Sequence, residues 1–272
     1  MRKFILFVSV FIVSALILAG CGGDDSGEKT TIKVGVSPGP YSVLFMDVVK
    51  PVLEDQGYTI EDVEFNDLLQ ADIALADGSV DLNVDQHTAY MENFNENRDA
   101  DLVSLTPIPT VPAGIFPGKK TSLEDVEEGD TVGIPNDASN AARAFALMQK
   151  AEWITLDENV ELMNATSEDI VDNPLNLDIV EMDSAQIPRT LSDLDYGVVP
   201  GSIVYSSNMD PSTKLLSEDI LEHLELVAVT TAEHEDSEWA QDVIAAYESD
   251  EMKEYMAEHN QEDYWFIPES LR

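Results

Sequence analysis

The stretch Asp77–Asn93, DGSVDLNVDQHTAYMEN, decides the fold, because a turn, a strand and a row of polar groups follow one another in it. The opening Asp-Gly pair signals a turn. Three apolar residues then alternate with polar ones, which predicts a half-buried strand. Polar and aromatic side chains follow between Asp85 and Tyr90. Open α/β sheets bind ligands at the carboxyl ends of their strands, so this stretch predicts an α/β fold with a site here.

A second stretch, Ile134–Ala144 (IPNDASNAARA), likewise has polar side chains at a predicted junction between a strand and a helix. The pattern predicts a strand that ends at Pro135 and a helix that begins near Ser139, with Asn140 and Arg143 in its first turn. An arginine there opposes the helix dipole and needs a nearby anion. Two interpretations follow: the guanidinium binds the carboxylate of a small ligand bidentately, or it pairs with one of the protein's own carboxylates.

The composition is strongly acidic. The 272 residues include 14 Lys and Arg against 54 Asp and Glu, which gives a formal net charge of −40, and 44% of residues are hydrophobic. This chain can form two lobes with real cores. Its charge argues against nucleic-acid partners and anionic membrane surfaces. The acidity favours adaptation to high salt or high pH outside the cell, or simply an acidic extracytoplasmic protein; a NaCl titration of stability would distinguish these interpretations.

The N-terminus indicates export and lipid attachment. Residues 1–20 have a basic start and a short apolar run, which is typical of a secretory signal peptide. The signal ends in Leu-Ala-Gly before Cys21, which is the sole cysteine and so has no disulfide partner. Residues 21–30 are rich in Gly, Asp and Ser and predict a flexible tether. We therefore expect a protein held by lipid on Cys21 at the extracytoplasmic face of the cell membrane.

The sequence offers little support for catalysis. Its four histidines show no metal-ligand spacing with a second His or Cys. The chain contains no GxSxG, P-loop or GxGxxG motif. We therefore predict a protein that is not an enzyme and that needs no metal or cofactor.

The motifs DxNxxQHxxYxExF and PNDxSNxxRA closely resemble the MetQ/NlpA family of methionine-binding lipoproteins, which are substrate-binding subunits of ATP-driven (ABC) importers. The resemblance runs from Ile32 to the C-terminus. It implies a two-lobed periplasmic-binding-protein type II fold, in which each lobe has a mixed, mostly parallel sheet flanked by helices and two strands form the hinge. We assign 31–112 plus 226–272 to lobe I and 113–225 to lobe II.

The resemblance also implies a ligand site between the lobes. It places Arg143 and Asn140 on one lobe, where they would bind the α-carboxylate of an amino acid. His87 and Tyr90 would form the pocket wall on the other lobe; the alternative is that His87 is a structural residue. The implied partners are an amino acid or derivative, a permease and an ATPase.

Several positions depart from the family pattern. Asp85 stands where a Phe is usual, and Leu68 replaces an aromatic residue. Gly201, beside Pro200, and Glu225 fall where asparagines are common. Buried carboxylates need a cation, so if Asp85 and Glu225 face the cleft, the ligand carries positive charge.

A zwitterion is the simplest such ligand, which fits methionine, another amino acid, a short peptide or another ammonium compound. The alternative is that Asp85 points to solvent, or that the alignment slips near Pro200. A different function class also stays open: a surface adhesin or structural lipoprotein that has kept the fold.

Prolines and periodicity give further expectations. The spacing predicts one helix over 42–55 with a kink at Pro51. It predicts a second strand over 62–66. The three prolines between 107 and 112 argue against a regular strand there, so we expect a hinge from Pro107 to Ile115.

Overall fold

The computed structural model describes residues 30–220, 222–260 and 264–272. The predicted signal peptide, Cys21 and nearly all of the tether lie outside these residues. The strands are β1 (Thr31–Val36), β2 (Thr59–Glu64), β3 (Leu82–His87), β4 (Leu102–Ile108), β5 (Gly114–Pro117), β6 (Thr131–Pro135), β7 (Thr155–Leu156), β8 (Ile170–Asp172), β9 (Asp178–Met182), β10 (Tyr196–Val199), β11 (Leu216–Ser217) and β12 (Leu226–Thr231). The α-helices are α1 (Pro40–Leu44), α2 (Lys50–Asp55), α3 (Leu68–Ala76), α4 (Thr88–Arg98), α5 (Ala138–Lys150), α6 (Ile187–Thr190), α7 (Gly201–Ser206), α8 (Glu238–Tyr247) and α9 (Asp250–His259).

The first sheet has five strands in the order β2-β1-β3-β12-β4. β1 is parallel to β2 and β3, while β12 runs antiparallel to β3 and β4. Helices cover the sheet, and the core beneath them includes the fully buried Phe45 and Tyr247. β3 lies in the middle of the sheet: its first residues pair with β1, and its carboxyl end pairs with β12 through Gln86 and His87.

The second sheet has five strands in the order β11-β5-β10-β6-β9. β6 is parallel to β10 and β9, and β5 is antiparallel to β10 and β11. α5 follows β6 and packs its apolar face into this lobe's core through Phe145 and Met148. The N-terminus of α5 therefore lies just beyond the carboxyl end of β6, an internal strand of this sheet. A separate two-stranded sheet pairs β7 with β8.

Two chain segments connect the sheets, one between β4 and β5 and one between β11 and β12. The first is braced by the pairing of Thr110 with Phe266, whose backbone groups exchange hydrogen bonds of 2.9 and 2.8 Å. The backbone N of Glu218, at the start of the second, donates to the Ala113 carbonyl at 3.0 Å. The two connections thus lie side by side, and the molecule is a two-lobed α/β protein with two crossing segments.

The structure corrects three expectations about local structure. The predicted helix over 42–55 contains a π-helical turn, Phe45–Val49, and Pro51 lies early in α2. This wider turn accommodates the proline, which cannot donate a helix hydrogen bond. β2 begins at Thr59 rather than at residue 62, because its pairing with β1 sets Thr59 opposite Thr31. β4 includes Pro107, which an edge strand tolerates.

Within the described part of the chain, no helix has the length and apolar character needed to cross a membrane.

Candidate functional site

A cavity of about 930 Å³ lies between the two lobes. α4 packs against α5 on one side of it, and α1 packs against α7 on the other. Seven of the eight ligand-contact residues predicted from the sequence line this cavity, and they are Leu68, Asp85, His87, Tyr90, Asn140, Arg143 and Gly201. The cavity is therefore built from both lobes, at the carboxyl end of β3 and the N-terminus of α5.

His87 ends β3 and caps the N-terminus of α4. Its Nδ1 accepts a hydrogen bond of 3.2 Å from the backbone N of Tyr90. The proton of the neutral ring is therefore on Nε2, which is buried; the Asn140 side chain lies near the imidazole, but Nε2 has no hydrogen bond of normal length and angle to a described residue. Burial holds the pKa of His87 well below its usual value, and the Arg143 charge adds to this. His87 thus presents a neutral N–H donor to the cavity.

The half-buried Tyr90 stands beside that imidazole, with the two rings nearly perpendicular and their centroids 6.2 Å apart. Burial raises the pKa of the Tyr90 phenol above its usual value, and nearby carboxylates such as Asp72 add to the rise. The phenol therefore stays protonated at neutral pH, and the ring gives this wall an aromatic surface.

Asp85 lies two residues before His87, on the same side of β3, and its two oxygens differ. Oδ2 accepts three hydrogen bonds: 2.9 Å from Ser37 N, 2.8 Å from Ser37 Oγ and 2.7 Å from Ser42 Oγ. Oδ1 is buried and has no partner among the described residues. Burial raises the pKa of this carboxyl, while the serine hydrogen bonds oppose the rise. A ligand cation or N–H donor would complete Oδ1.

Asn140 and Arg143 form the opposite wall, on the first turns of α5. The helix begins with an Asp137 cap whose Oδ1 accepts 3.0 Å hydrogen bonds from the backbone N and the Nδ2 of Asn140. This leaves Asn140 Oδ1 to accept a 2.8 Å hydrogen bond from Nη1 of Arg143. The cap therefore orients the amide that in turn orients the guanidinium.

Arg143 is also paired with a carboxylate of the protein. Its Nε donates to Oε2 of Glu218 at 3.0 Å, and its Nη2 pairs with Oε1 of the same residue. Both side chains are buried. A guanidinium has five N–H donors. Glu218 and Asn140 accept from three of these N–H groups. Considering only the described residues, one N–H on Nη1 and one on Nη2 are left for a ligand.

Leu68 and Gly201 complete the cavity in the way that the sequence alignment suggested. Leu68 begins α3 and is partly buried. Gly201 begins α7, and a Cβ there would collide with the carbonyl oxygen of Val111 in the first connection. Glycine at this position therefore lets α7 approach the segment between β4 and β5.

Glu225 does not line the cavity, which removes it from the set of candidate contacts. Burial raises the pKa of its carboxyl, and the charges of Glu222 and Glu269 add to the rise. Those neighbours place Glu225 beside the C-terminal segment. The next residue, Leu226, which begins β12, lines the cavity, whereas Glu225 lies in the bend that follows the 3-10 turn Glu222–Leu224.

Sequence reasoning missed three residues that shape the site: Ser37, Ser42 and Glu218. The loop after β1 contains Ser37, but its pairing with Asp85 spans 48 residues. Glu218 lies 75 residues from Arg143. The requirement for an anion near Arg143 was recognised, whereas nothing in the sequence singled out this carboxylate among 54 acidic residues. Among the described residues, no three metal-binding side chains come together.

A cleft between two lobes, with guanidinium N–H donors on one wall and an unpaired carboxylate oxygen on the other, defines a binding protein for a small polar solute. Comparison with known proteins supports this class. The sequence profile of the NlpA lipoprotein family matches residues 32–268. The D-methionine-binding lipoprotein MetQ of Salmonella typhi is 34% identical over 256 residues, which are 93% of this chain and 94% of that protein. The chain belongs to the NlpA lipoprotein family.

Solved structures extend the likeness to three dimensions. A nutrient binding protein from Burkholderia cenocepacia bound to methionine has a TM-score of 0.80 at 32% identity, covering 87% of this chain and 99% of that one. The substrate binding protein of a methionine transporter from Streptococcus pneumoniae has a TM-score of 0.78 at 32% identity, covering 88% and 96%. The resemblance and the fold predicted from the sequence are confirmed.

Proposed function

We propose that this protein is the substrate-binding subunit of an ABC importer and that it captures methionine, or a closely related amino acid or short peptide, outside the cell membrane. Relatives at about one-third identity over most of the chain carry names of methionine-binding lipoproteins and of a methionine transporter's binding protein. These relatives are binding proteins rather than enzymes.

The observation that carries the proposal is the pairing of opposite chemistries across one cavity. The two N–H groups of Arg143 left after its internal contacts suit the α-carboxylate of an amino acid. The unpartnered Oδ1 of Asp85 suits its α-ammonium group. His87 Nε2 adds a neutral donor, and Tyr90 and Leu68 supply apolar surface for the side chain. A zwitterion would satisfy both walls at once.

Binding would also favour the closed arrangement of the lobes. A ligand shifts a conformational equilibrium only by binding one state better than the other. Because Asp85 and His87 lie on one lobe and Asn140 and Arg143 on the other, a ligand that contacts all four binds best when the lobes are together. We propose the lobe boundaries already inferred from the sequence, with 31–112 plus 226–272 as lobe I and 113–225 as lobe II.

The N-terminal segment would supply the attachment to the membrane. Cys21, outside the described residues, would carry the lipid, and the tether would let the lobes reach a permease with its ATPase. The protein would then act at the extracytoplasmic face of the cell membrane, and its membership of a lipoprotein family supports this proposal.

A thermal-shift panel tests the proposal. A soluble form of the protein that begins at residue 22, after the proposed lipid-carrying Cys21, is heated with each amino acid, with D- and L-methionine and with dipeptides. Stabilisation by methionine or a close analogue is expected, because a ligand that binds only the folded state raises the unfolding temperature. Mass spectrometry of small molecules released from the purified protein gives an independent answer. Absence of any stabilising solute would instead favour the surface adhesin or structural lipoprotein.

A further inference from the structure

Glu218 is the partner of Arg143 and lies where the second connection begins, directly after β11. It is 9% exposed. Its two carboxylate oxygens accept hydrogen bonds from Nε and Nη2 of the guanidinium, and the bond from Nε to Oε2 is 3.0 Å long. A planar fork facing a planar carboxylate in this way is the most directional ion pair that proteins form. The pair therefore fixes the plane of the Arg143 guanidinium as well as its charge.

The Glu218 carboxylate is itself anchored from another direction. The backbone N of Ala113 donates to its Oε1 at 2.5 Å, and the backbone N of Glu218 donates to the Ala113 carbonyl at 3.0 Å. Ala113 belongs to the first connection, just before β5. Both connections thus hold the carboxylate, so its position does not depend on Arg143 alone.

With Glu218 on one edge and Asn140 on Nη1, the guanidinium has lost its rotational freedom, and its two remaining N–H groups have a fixed direction. We propose that Glu218 is a positioning residue that sets the affinity for the substrate's carboxylate by holding Arg143, and that it acts on binding through Arg143 only. This inference rests on the proposed function, since it assumes a ligand with a carboxylate.

The first test reads the position of Arg143 without any ligand. The chain has five arginines, so a ¹⁵N spectrum contains few Nε–H signals, and Arg143→Lys assigns the one of interest. In the wild type this proton is expected to exchange slowly with water, because it is buried and hydrogen-bonded. In Glu218→Gln it is expected to exchange markedly faster. Unchanged exchange would overturn the proposal.

The second test compares two probes, methionine and methioninamide, which lacks the carboxylate. NMR titration reads weak as well as strong binding. Glu218→Gln is expected to weaken methionine binding about tenfold or more, by analogy with metal sites, where removing the hydrogen-bond partner of a ligand residue weakens metal binding to that extent. Methioninamide binding is expected to stay unchanged. In an Arg143→Ala background the same substitution is expected to have no effect on methionine affinity. Asp219→Asn, which alters the exposed neighbouring carboxylate, is the matched control.

Equal weakening of both probes would show that Glu218 matters only for the lobe's structure, and an effect that persists without Arg143 would equally overturn the proposal. Circular dichroism checks folding, and Glu218→Asp, which withdraws the carboxylate by one methylene, replaces the Gln variant if that variant does not fold. If the wild type binds no methionine, the proposed function fails, while the Nε–H exchange still decides whether Glu218 positions Arg143.

Discussion

The two walls of the cavity differ in how completely their polar groups are paired. On the α5 side, each hydrogen-bonding side-chain atom of Asn140, Arg143 and Glu218 has a partner within the described structure. On the β3 wall, Asp85 Oδ1 and His87 Nε2 have none. Behind that wall, away from the cavity lining, three more buried atoms among the described residues have none: Asp72 Oδ2, Asn83 Nδ2 and Gln86 Oε1. Unpaired buried polar atoms are costly, and they are tolerated mainly where function requires them.

This difference indicates that the two walls contribute differently to binding. The α5 wall is preorganised, so a carboxylate meets donors that are already oriented. Under the proposed function, the β3 wall would complete its hydrogen bonds only with the ligand, so more of the selectivity for an ammonium group would reside there. Substitutions on the two walls should therefore differ: on the α5 wall they should reduce both stability and affinity, and at Asp85 on the β3 wall they should mainly reduce affinity.

The largest effect is expected for Arg143→Ala. This change leaves the buried Glu218 carboxylate without its cation, which should reduce the free energy of unfolding by about 3–5 kcal/mol. Methionine affinity should fall by at least ~2 kcal/mol, because a charge-assisted contact is lost. Urea unfolding and calorimetry measure the two. An unchanged affinity would remove Arg143 from the site and abolish the contrast between the walls.

Asp85→Asn should act mainly on affinity. The amide keeps the shape but not the charge, so the affinity for methionine should fall by about 1.5–3 kcal/mol, the range for hydrogen bonds to charged groups. Stability should change little. Asp183→Asn, at an exposed carboxylate that also lines the cavity, is the control. Calorimetry that finds the two variants equal would mean that Asp85 does not receive the ammonium group.

Asp72, buried behind the β3 wall, should make stability depend on pH. Burial, with the Asp85 charge adding to it, raises its pKa from 3.8 to about 8, and its Oδ1 accepts from Gln86 Nε2 at 2.7 Å. The folded state therefore binds this proton more tightly than the unfolded state, so this contribution to stability is complete below the unfolded pKa and is lost as pH rises to about 8.

Asp72→Asn keeps a neutral partner for Gln86 at every pH. The variant should match the wild type near pH 4 and exceed it by at least about 1.4 kcal/mol at pH 8, the equivalent of one pKa unit. Urea unfolding across this range measures the difference, with Glu96→Gln as an exposed control. A constant difference between variant and wild type would show that Asp72 does not retain a proton in the folded protein.

The smallest effect is expected at His87. Replacing it by Ala removes one neutral donor, so methionine affinity should fall by about 0.5–1.5 kcal/mol. Because the pKa of His87 lies well below its usual value, affinity in the wild type should show no step near pH 6.5. Calorimetry at several pH values checks both points. A step near pH 6.5 that disappears in the variant would show that His87 binds as a cation.

Local patterns predicted much of this structure. The strand before α5 ends at Pro135 as predicted, since the proline and the turn that follows it define that end. The family motif predicted that Asn140 and Arg143 lie near each other, and both line the cavity from one helix, α5. The Arg143 partner and the serines that hold Asp85 depend on chain segments brought together only by folding, and no local pattern encodes that. Glu225 does not line the cavity, because it lies in a bend before β12, and no local pattern in the sequence indicates that bend.

The most direct test of the two-wall account is a calorimetric titration of the wild type with three ligands: methionine, methioninamide, which lacks the carboxylate, and 4-(methylthio)butanoate, which lacks the ammonium group. Each truncated ligand is expected to bind at least about tenfold more weakly than methionine, because each leaves the polar groups of one wall without a ligand partner. Equal affinity of methionine and either truncated ligand would contradict it.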